Sequence, residues 1–219
     1  MNHKRVAVLI SGRGSNMAAL IEAAKANDYP AEIALVVSNK SDAGGLVTAR
    51  AGGIATEIVD HTSFGKDRAA FENALQAALE KHRIELVCLA GFMRLLTPWF
   101  VGHWQNRMLN IHPALLPAFK GLDTHKRAIE AGAKVHGASV HFVVPEMDSG
   151  PIIVQGAVAV RADDTEEALA ARVIKVEHRI YPQALRLVAE GRVRVENGRV
   201  LIDGVPVPHA SELVPTVPD

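Results

Sequence analysis

The stretch that decides the fold is RVAVLISGRGSNMAALIEAA, residues 5–24. The predicted strand Arg5–Ile10 is continuously apolar from Val6 onward, which is typical of a parallel strand buried on both faces. A loop with two glycines, Ser11–Asn16, follows, and Met17–Ala24 has the pattern of a helix. A strand, a glycine loop and a helix in this order aim free backbone N–H groups at an anion. The stretch therefore predicts a βα unit with a phosphate site.

The glycine loop differs from two common nucleotide-binding motifs. It has no Gly-Lys-Ser/Thr ending, which excludes a Walker A loop, and Met17 stands at the third glycine position of a dinucleotide fingerprint. Ser15 and Asn16 are placed at the start of the helix, where they could donate to a single phosphate. The alternative is a tight βα turn in which Ser15 or Asn16 caps the helix.

Apolar runs of strand length recur along the rest of the chain. In the first half they alternate with helical patterns and predict parallel strands at 33–38, 56–59 and 85–90. In the second half they predict strands at 107–112, 135–144 and 152–160. We expect 135–144 to pair antiparallel at the sheet edge. A helix is predicted from an acidic segment at 163–167 to about residue 190, followed by a hairpin with an Asn197-Gly198 turn.

These patterns predict one α/β domain over residues 1–219. The domain would be Rossmann-like, with a mostly parallel sheet, an antiparallel strand in the C-terminal half, and helices on both faces. No internal repeat or linker divides the chain, and residues 203–219 form a Pro-rich tail.

Composition limits the classes of partner. Lys+Arg and Asp+Glu both number 24, so the balanced charge argues against bulk binding to nucleic acid or an anionic membrane. The single cysteine, Cys88, lies in an apolar run and can form no internal disulfide. No apolar run approaches the roughly 20 residues of a membrane span, and the N-terminus leads into a strand too short for a signal sequence. We expect a cytoplasmic protein.

Asn110 and His112 are the first candidates for chemistry. They lie two residues apart in a predicted strand that Pro113 ends, so their side chains share one face. A carboxamide beside an imidazole suits stabilising an oxyanion while moving a proton. No Ser or Cys nucleophile stands nearby, which indicates that one substrate attacks the other directly. The alternative is structural, with Asn110 capping the next turn and His112 packed at a loop.

Two other features belong with this pair. The turn 145–151 delivers Asp148 near a strand end, and a carboxylate beside His112 would favour the imidazolium. Gly91 follows a central strand at its carboxyl end, where α/β sheets place ligands. Met93, Leu95 and Leu96 could line an apolar slot there. The alternative is that they are core residues of the next helix. The histidines lack His-Glu-x-x-His spacing and no thiolate cluster exists, so no metal site is predicted.

Five motifs occur together in the order and spacing of the phosphoribosylglycinamide formyltransferase family, a member of the wider formyltransferase fold. They are SGRGSN at 11–16, GFMRLL at 91–96, NIHPALLP at 110–117, HGASVH at 136–141 and EMDSGP at 146–151. The chain resembles this family from about residue 5 to 201. Two positions depart from the family pattern: Arg13 replaces an uncharged residue of some relatives, and Asp123 stands where His is expected.

The resemblance implies a role for each motif. Asn110, His112 and Asp148 would be the catalytic residues. The phosphoribosylglycinamide site would comprise Gly14, Ser15, Asn16 and Glu177. The 10-formyltetrahydrofolate site would comprise Arg68, Met93, Arg94, Leu95, Leu96, Asn110, Val144, Pro145, Glu146, Met147 and Asp148.

The implied reaction moves the formyl group of 10-formyltetrahydrofolate, a co-substrate, to the primary amine of phosphoribosylglycinamide in de novo purine biosynthesis, without a metal. Residues of about 1–110 would form the nucleotide- and phosphate-binding half, and about 111–200 the catalytic and folate-binding half. The partners would be small molecules, and the protein a monomer or a weak homodimer. The alternatives are a 10-formyltetrahydrofolate hydrolase, in which water is the acceptor, and a non-catalytic folate- or nucleotide-binding module. A methionyl-tRNA formyltransferase would need a basic RNA-binding domain, and only a hairpin and the tail follow Glu190.

Overall fold

The computed structural model describes residues 3–204, so the predicted tail lies outside the described residues from residue 205 onward. Its strands are β1 (Lys4–Ile10), β2 (Ala31–Ser38), β3 (Ala55–Ile58), β4 (Leu86–Leu89), β5 (Met108–His112), β6 (Val135–Phe142), β7 (Ile152–Ala159), β8 (Val193–Glu196) and β9 (Arg199–Ile202). Its helices are α1 (Ser15–Ala23), α2 (Gly44–Ala51), α3 (Arg68–Lys81), α4 (Pro98–His103), α5 (Thr124–Glu130) and α6 (Glu166–Ala189), with a short 3-10 helix at His61–Phe64.

Seven strands form one sheet in the order β3-β2-β1-β4-β5-β6-β7. The first five run parallel to one another, and β6 pairs antiparallel with both β5 and β7. The predicted α/β class and mostly parallel sheet are therefore confirmed. The predicted edge position of β6 is wrong, because the chain turns back after β6 and β7 pairs along it from Val135 to His141.

The core lies on both faces of the sheet, as predicted. On one face, Met17 and Leu20 of α1 and Val173 and Tyr181 of α6 pack on the sheet. On the other, α3 and α4 pack against alternate strand residues. Successive strand side chains point to opposite faces, so both faces need apolar residues, which explains the continuous apolar runs.

Helix α6 is tied to the centre of the sheet by a tyrosine. The Tyr181 hydroxyl lies 2.9 Å from the carbonyl oxygen of Leu89, the last residue of β4, and 3.2 Å from that of Leu109 in β5. Glu177 lies one helical turn earlier, so the same anchor holds its carboxyl group near the start of α1. No helix among residues 3–204 combines the length and apolar character needed to cross a bilayer.

The C-terminal hairpin has the predicted Asn-Gly turn. Strands β8 and β9 pair antiparallel, and Asn197 and Gly198 have φ values of 50° and 74°. Positive φ at both central residues is what a two-residue type I′ turn requires, and Asn and Gly adopt it with little strain.

Candidate active site

The carboxyl ends of the parallel strands carry the predicted site. Asn110 and His112 lie on one face of β5, as their spacing predicts, and His112 is buried. Its Nδ1 lies 3.4 Å from Asp148 Oδ2, with the two side chains 7% and 10% exposed. Its Nε2 lies 3.0 Å from the carbonyl oxygen of Phe119. Both ring nitrogens therefore face acceptors, and only a doubly protonated ring can donate to both.

Asp148 reaches His112 because the turn after β6 is unusually close to that strand. A Cβ on Gly150 would lie 1.8 Å from the carbonyl oxygen of Phe142, so only glycine allows this approach. Asp148 itself has a φ of 50°, a conformation that Asp tolerates better than most residues. The backbone N–H of Gly121 donates to Asp148 Oδ2 over 2.9 Å. The carboxylate is thus fixed by a turn on one side and a loop on the other.

His141, to which its motif alone assigns no role, lies beside the three predicted catalytic residues. Its Nε2 lies 3.3 Å from Asn110 Nδ2 and 3.8 Å from Asp148 Oδ1. Its Nδ1 lies 2.9 Å from the carbonyl oxygen of Phe142. The signal that could have found it is the pair of motifs Asn-x-His and Ser-x-His on strands that run antiparallel, which sets Asn110 opposite His141.

The loop that follows β5 is held by Ser139, the residue opposite His112 on β6. Its hydroxyl donates to the carbonyl oxygen of Ala114 over 2.7 Å and accepts from the N–H of Leu116 over 3.0 Å. The side-chain amide of Gln155 donates to the same hydroxyl over 2.8 Å. Within residues 3–204 the Asn110 side chain bonds to His141 and does not cap this loop, so that part of the structural alternative is wrong. The other part, His112 packed at a loop, agrees with the contact between its Nε2 and the Phe119 carbonyl oxygen.

The phosphate loop has an open helix start. Gly14 occupies the N-cap position of α1 with a φ of 73°, and no side chain caps the helix, so the alternative of a Ser15 or Asn16 cap is wrong. Asn16 instead donates from Nδ2 to Glu177 Oε2 over 2.6 Å, and its buried Oδ1 has no partner within residues 3–204. Burial raises the pKa of Glu177, although the bond from Asn16 opposes this. Ser15 and Arg13 are exposed.

The segment 91–97 links β4 to α4 and contains the predicted folate residues. Met93 and Leu95 are 67% and 64% exposed, so the alternative that they are core of the next helix is wrong. Leu96 is partly buried and packs against the core. The Ser11 hydroxyl accepts from the N–H of Met93 over 2.8 Å. The buried Glu72 carboxylate accepts from the N–H of Thr97 over 2.6 Å and from its hydroxyl.

The remaining predicted folate residues are exposed or half-buried and lie outside the trio formed by Asn110, His112 and Asp148. Arg68 is exposed at the first position of α3, and Arg94 is half-buried. Pro145, Glu146 and Met147 are exposed in the turn that delivers Asp148, with Val144 half-buried before them. Within residues 3–204, no hydrogen bond or ion pair joins Arg68 or Arg94 to the trio.

The loop 119–123 covers the trio and has an irregular backbone. Phe119, Gly121 and Asp123 have φ values of 52°, 83° and 55°. Lys120 Nζ donates to the Ser149 hydroxyl over 2.6 Å, which joins the loop to the turn that carries Asp148. Asp123, the departure from the family pattern, is at the N-cap of α5 but makes no side-chain cap bond.

Two other observations concern sites elsewhere. A cavity of about 560 Å³ lies at the opposite end of the sheet, and four of the charged groups that line it are paired, Lys4 with Glu85 and Arg194 with Glu196. Among the described residues, no three His, Cys, Asp or Glu side chains are arranged to hold a metal ion.

The chain is similar in sequence to proteins of known activity. The formyl transferase family profile matches residues 4–185. Phosphoribosylglycinamide formyltransferase of Escherichia coli (strain K12) is 45% identical over 203 residues, which cover 93% of this chain and 95% of that protein. The trifunctional purine biosynthetic protein adenosine-3 of Gallus gallus is 50% identical over 91% of this chain. The match covers only 20% of the length of that relative.

A solved structure with the same fold is also similar in sequence. The crystal structure of glycinamide ribonucleotide transformylase 1 from Symbiobacterium toebii superposes with a TM-score of 0.88 at 45% identity. The match covers 92% of this chain and 94% of that one. The likeness therefore extends over nearly the whole chain.

Proposed function

This chain belongs to the formyl transferase family, and from that premise we propose that it transfers the formyl group of 10-formyltetrahydrofolate to the primary amine of phosphoribosylglycinamide, a step of de novo purine biosynthesis. The observation that carries the proposal is the buried contact of 3.4 Å between His112 Nδ1 and Asp148 Oδ2, beside Asn110 at the carboxyl end of β5. Relatives named for this activity match nearly the whole chain, which supports the choice of substrates.

The reaction needs no enzyme nucleophile. The substrate amine attacks the formyl carbon, which gives a tetrahedral intermediate with a negative oxygen and a positive nitrogen. Asn110 and protonated His112 donate hydrogen bonds to that oxygen, where charge develops. The C–N10 bond then breaks, N10 of the folate receives the proton that the amine nitrogen loses, and the N-formyl product and tetrahydrofolate leave. Asp148 Oδ2, 3.4 Å from His112 Nδ1, holds the ring with Nε2 turned toward the oxyanion and helps the proton move.

The loop 119–123 has a part in this step. The Phe119 carbonyl oxygen lies 3.0 Å from His112 Nε2, in the direction from which that nitrogen would donate to an oxyanion. The formyl oxygen therefore takes the place of the Phe119 carbonyl when the substrates bind. The second anchor of the loop, the Gly121 N–H on Asp148 Oδ2, does not involve His112 Nε2 and can remain.

The substrate sites follow from the two flanking segments. Gly14, Ser15 and Asn16 offer the open N-terminus of α1 to the phosphate, where the free N–H groups and the helix dipole favour an anion. Glu177, held by Asn16, accepts hydrogen bonds from the ribonucleotide. The folate lies against Met93, Leu95 and Leu96, with the backbone of 144–148 as its polar wall. The positive charges of Arg68 and Arg94 favour the anionic end of the folate.

The protein's organisation is part of the proposal. We propose one domain over residues 1–219, in which about 1–110 bind the nucleotide phosphate and about 111–200 supply the catalytic residues and the folate wall. We propose a cytoplasmic enzyme that acts as a monomer or weak homodimer and needs no metal. The single cysteine, which cannot form an internal disulfide, supports a reducing compartment.

The deciding experiment follows folate absorbance with 10-formyltetrahydrofolate present, with and without phosphoribosylglycinamide. Turnover that requires the ribonucleotide is the expected result. Release of formate without the ribonucleotide would identify a hydrolase and overturn the proposal. Folate binding without turnover in either mixture would identify a binding module and discard the mechanism.

His112→Ala tests the mechanism directly. The variant is expected to lose at least about 10²-fold in kcat, because an oxyanion donor and the proton carrier are both removed. The dissociation constants of both substrates are expected to change little, since within residues 3–204 no hydrogen bond or ion pair joins the ring to the phosphate loop or to 91–97. Normal turnover in this variant contradicts the assignment.

A further inference from the structure

Asn110 and His141 face each other because of strand pairing. They are directly opposite in the antiparallel ladder of β5 and β6. Opposite residues of an antiparallel pair carry their Cβ atoms about 4.5–5.5 Å apart on one face, so the backbone alone brings these side chains together. His141 is only 2% exposed, and no solvent competes for its ring.

The ring of His141 has one available protonation pattern. Its Nδ1 lies 2.9 Å from the Phe142 carbonyl oxygen, which can only accept, so Nδ1 carries the proton. Burial lowers the pKa of His141 and favours the neutral ring. In a neutral imidazole with a proton on Nδ1, Nε2 is an acceptor. That atom lies 3.3 Å from Asn110 Nδ2, which can donate to it.

An acceptor at this position distinguishes the two ends of a carboxamide. Nε2 of His141 attracts the Nδ2 end of Asn110, whereas the Oδ1 end would set two lone pairs against each other. With one N–H directed at His141, the plane of the amide is fixed and its second N–H stays free. We propose that His141 is a positioning residue, which holds Asn110 so that this second N–H points to the formyl oxygen. This inference rests on the proposed function.

Asp148 is the other acceptor near the ring of His141, and it is a weaker candidate for the partner of Nε2. The separation from Asp148 Oδ1 is 3.8 Å, beyond hydrogen-bonding distance. Asp148 has nearer partners in the Gly121 N–H at 2.9 Å and His112 Nδ1 at 3.4 Å. The loop and His112 thus position the carboxylate, while His141 positions the carboxamide.

Two substitutions separate positioning from packing. In His141→Gln, an amide group replaces Nε2 at a similar distance from the backbone; in His141→Asn, the amide group replaces Nδ1 and nothing reaches Asn110. We expect His141→Gln to stay within about 5-fold of the unsubstituted kcat and His141→Asn to lose about 30-fold. This loss is part of the roughly 10²–10³-fold cost of removing one oxyanion donor. Both KM values are expected to stay within about 3-fold.

A double-mutant cycle shows whether the effect passes through Asn110. In the Asn110→Ala background there is no carboxamide to orient, so His141→Asn is expected to lower kcat by less than about 3-fold. An equal loss in both backgrounds, or equal losses in the Gln and Asn variants, overturns the inference. So does an effect confined to KM.

The ring itself offers a readout without turnover. Nitrogen-15 NMR of labelled histidine in the full chain is expected to show Nδ1 of His141 protonated and Nε2 unprotonated. A proton on Nε2 overturns the inference. If the unsubstituted protein shows no ribonucleotide-dependent turnover, the proposed function fails, and this inference with it. If turnover is normal while the cycle is additive, the inference alone fails.

Discussion

Glu177 is a buried carboxyl group next to the phosphate loop, and its environment resists its charge. Burial raises its pKa above the ordinary value, and the hydrogen bond from Asn16 only partly compensates. A carboxyl whose pKa is raised in the folded state binds its proton more tightly there than in the unfolded chain. Its contribution to stability is therefore complete below the unfolded pKa of about 4.3 and is lost as pH rises through the folded pKa.

Glu177→Gln is expected to stabilise the ligand-free protein at pH 7 by about 1 kcal/mol, because glutamine removes the charge but still accepts from Asn16. The gain should shrink as the pH falls to about 4, where the natural carboxyl is protonated. Denaturant unfolding at both pH values measures this. The KM for phosphoribosylglycinamide is expected to rise about 10-fold or more, since a charged acceptor is lost.

Glu130→Gln is the matched control for this substitution. Its side chain is 61% exposed and its partner, Lys126, lies 3.9 Å away, so the change is expected to alter neither stability nor KM measurably. A Glu177→Gln protein that is no more stable than the natural one at pH 7 would show that ionised Glu177 is adequately solvated. In that case the ligand-free protein would not be destabilised by the Glu177 charge, and no stability would be sacrificed for ligand binding.

At the scale of elements, the segment 91–97 is a short apolar surface held at its two ends. The Ser11 hydroxyl accepts from Met93 at one end and Glu72 accepts from Thr97 at the other. Ser11→Ala is expected to raise the KM for 10-formyltetrahydrofolate about 10-fold, because the backbone that carries the exposed Met93 and Leu95 loses the hydrogen bond that holds it. The KM for the ribonucleotide and kcat should stay within about 3-fold. Steady-state kinetics with each substrate varied measures this.

Ser38→Ala is the control for the loss of a buried serine hydroxyl at a strand end. Ser38 is fully buried at the end of β2, and its hydroxyl bonds only locally, to the carbonyl oxygen and N–H of Lys40. Both variants are expected to lose similar stability, about 1 kcal/mol each. A rise in the folate KM of the same size in Ser38→Ala would attribute the effect to general loosening rather than to the segment 91–97.

The turn after β6 gives a second element-scale prediction. In Gly150→Ala the new Cβ would meet the Phe142 carbonyl oxygen at 1.8 Å, so the turn must move away from β6 and carry Asp148 from His112. We expect a loss of about 1–3 kcal/mol in stability and about 10²-fold in kcat. Gly102→Ala in α4 is the control, because a Cβ there meets nothing within 4 Å and alanine favours a helix. Unchanged kcat in Gly150→Ala would show that Asp148 tolerates displacement.

Particular residues show how far the sequence could predict the site. A spacing of two in a strand was enough to place Asn110 beside His112, and the irregular turn was enough to bring Asp148 near them. The Asn110–His141 contact needed the register of β5 against β6, which depends on the whole sheet. The Phe119 carbonyl on His112 needed loop backbone angles that local sequence does not specify.

At the scale of the whole molecule, the apolar runs were enough to predict the sheet and its parallel strands. Continuous burial marks a parallel strand covered on both faces, and every such run became a strand. The position of β6 could not be predicted in the same way. Its alternating pattern is compatible with an edge, and only the return of β7 along it shows that it lies inside.

Four buried or half-buried histidines give the molecule a predicted weakness in acid. Burial lowers the pKa of all four: His125, His136, His141 and His178. For His136 it falls to about 4, whereas an unfolded histidine titrates near 6.5. A depressed pKa contributes stability that is present above the unfolded value and lost as pH falls toward the folded one. Unfolding free energy should therefore decline below about pH 6.5, by about 1.4 kcal/mol per pH unit for each proton taken up.

His136→Leu isolates one of these protons. His136 is 1% exposed, and its ring packs edge-on against His125 at 5.2 Å and against Phe119 at 5.8 Å, so it also supports the loop over the trio. The variant is expected to show a pH slope of unfolding free energy between about pH 6 and 5 that is smaller by up to one proton. Denaturant titrations at half-unit intervals measure this slope. An unchanged slope would mean that folded His136 already carries a proton at pH 6, and the loop would then pack against a cation rather than a neutral ring.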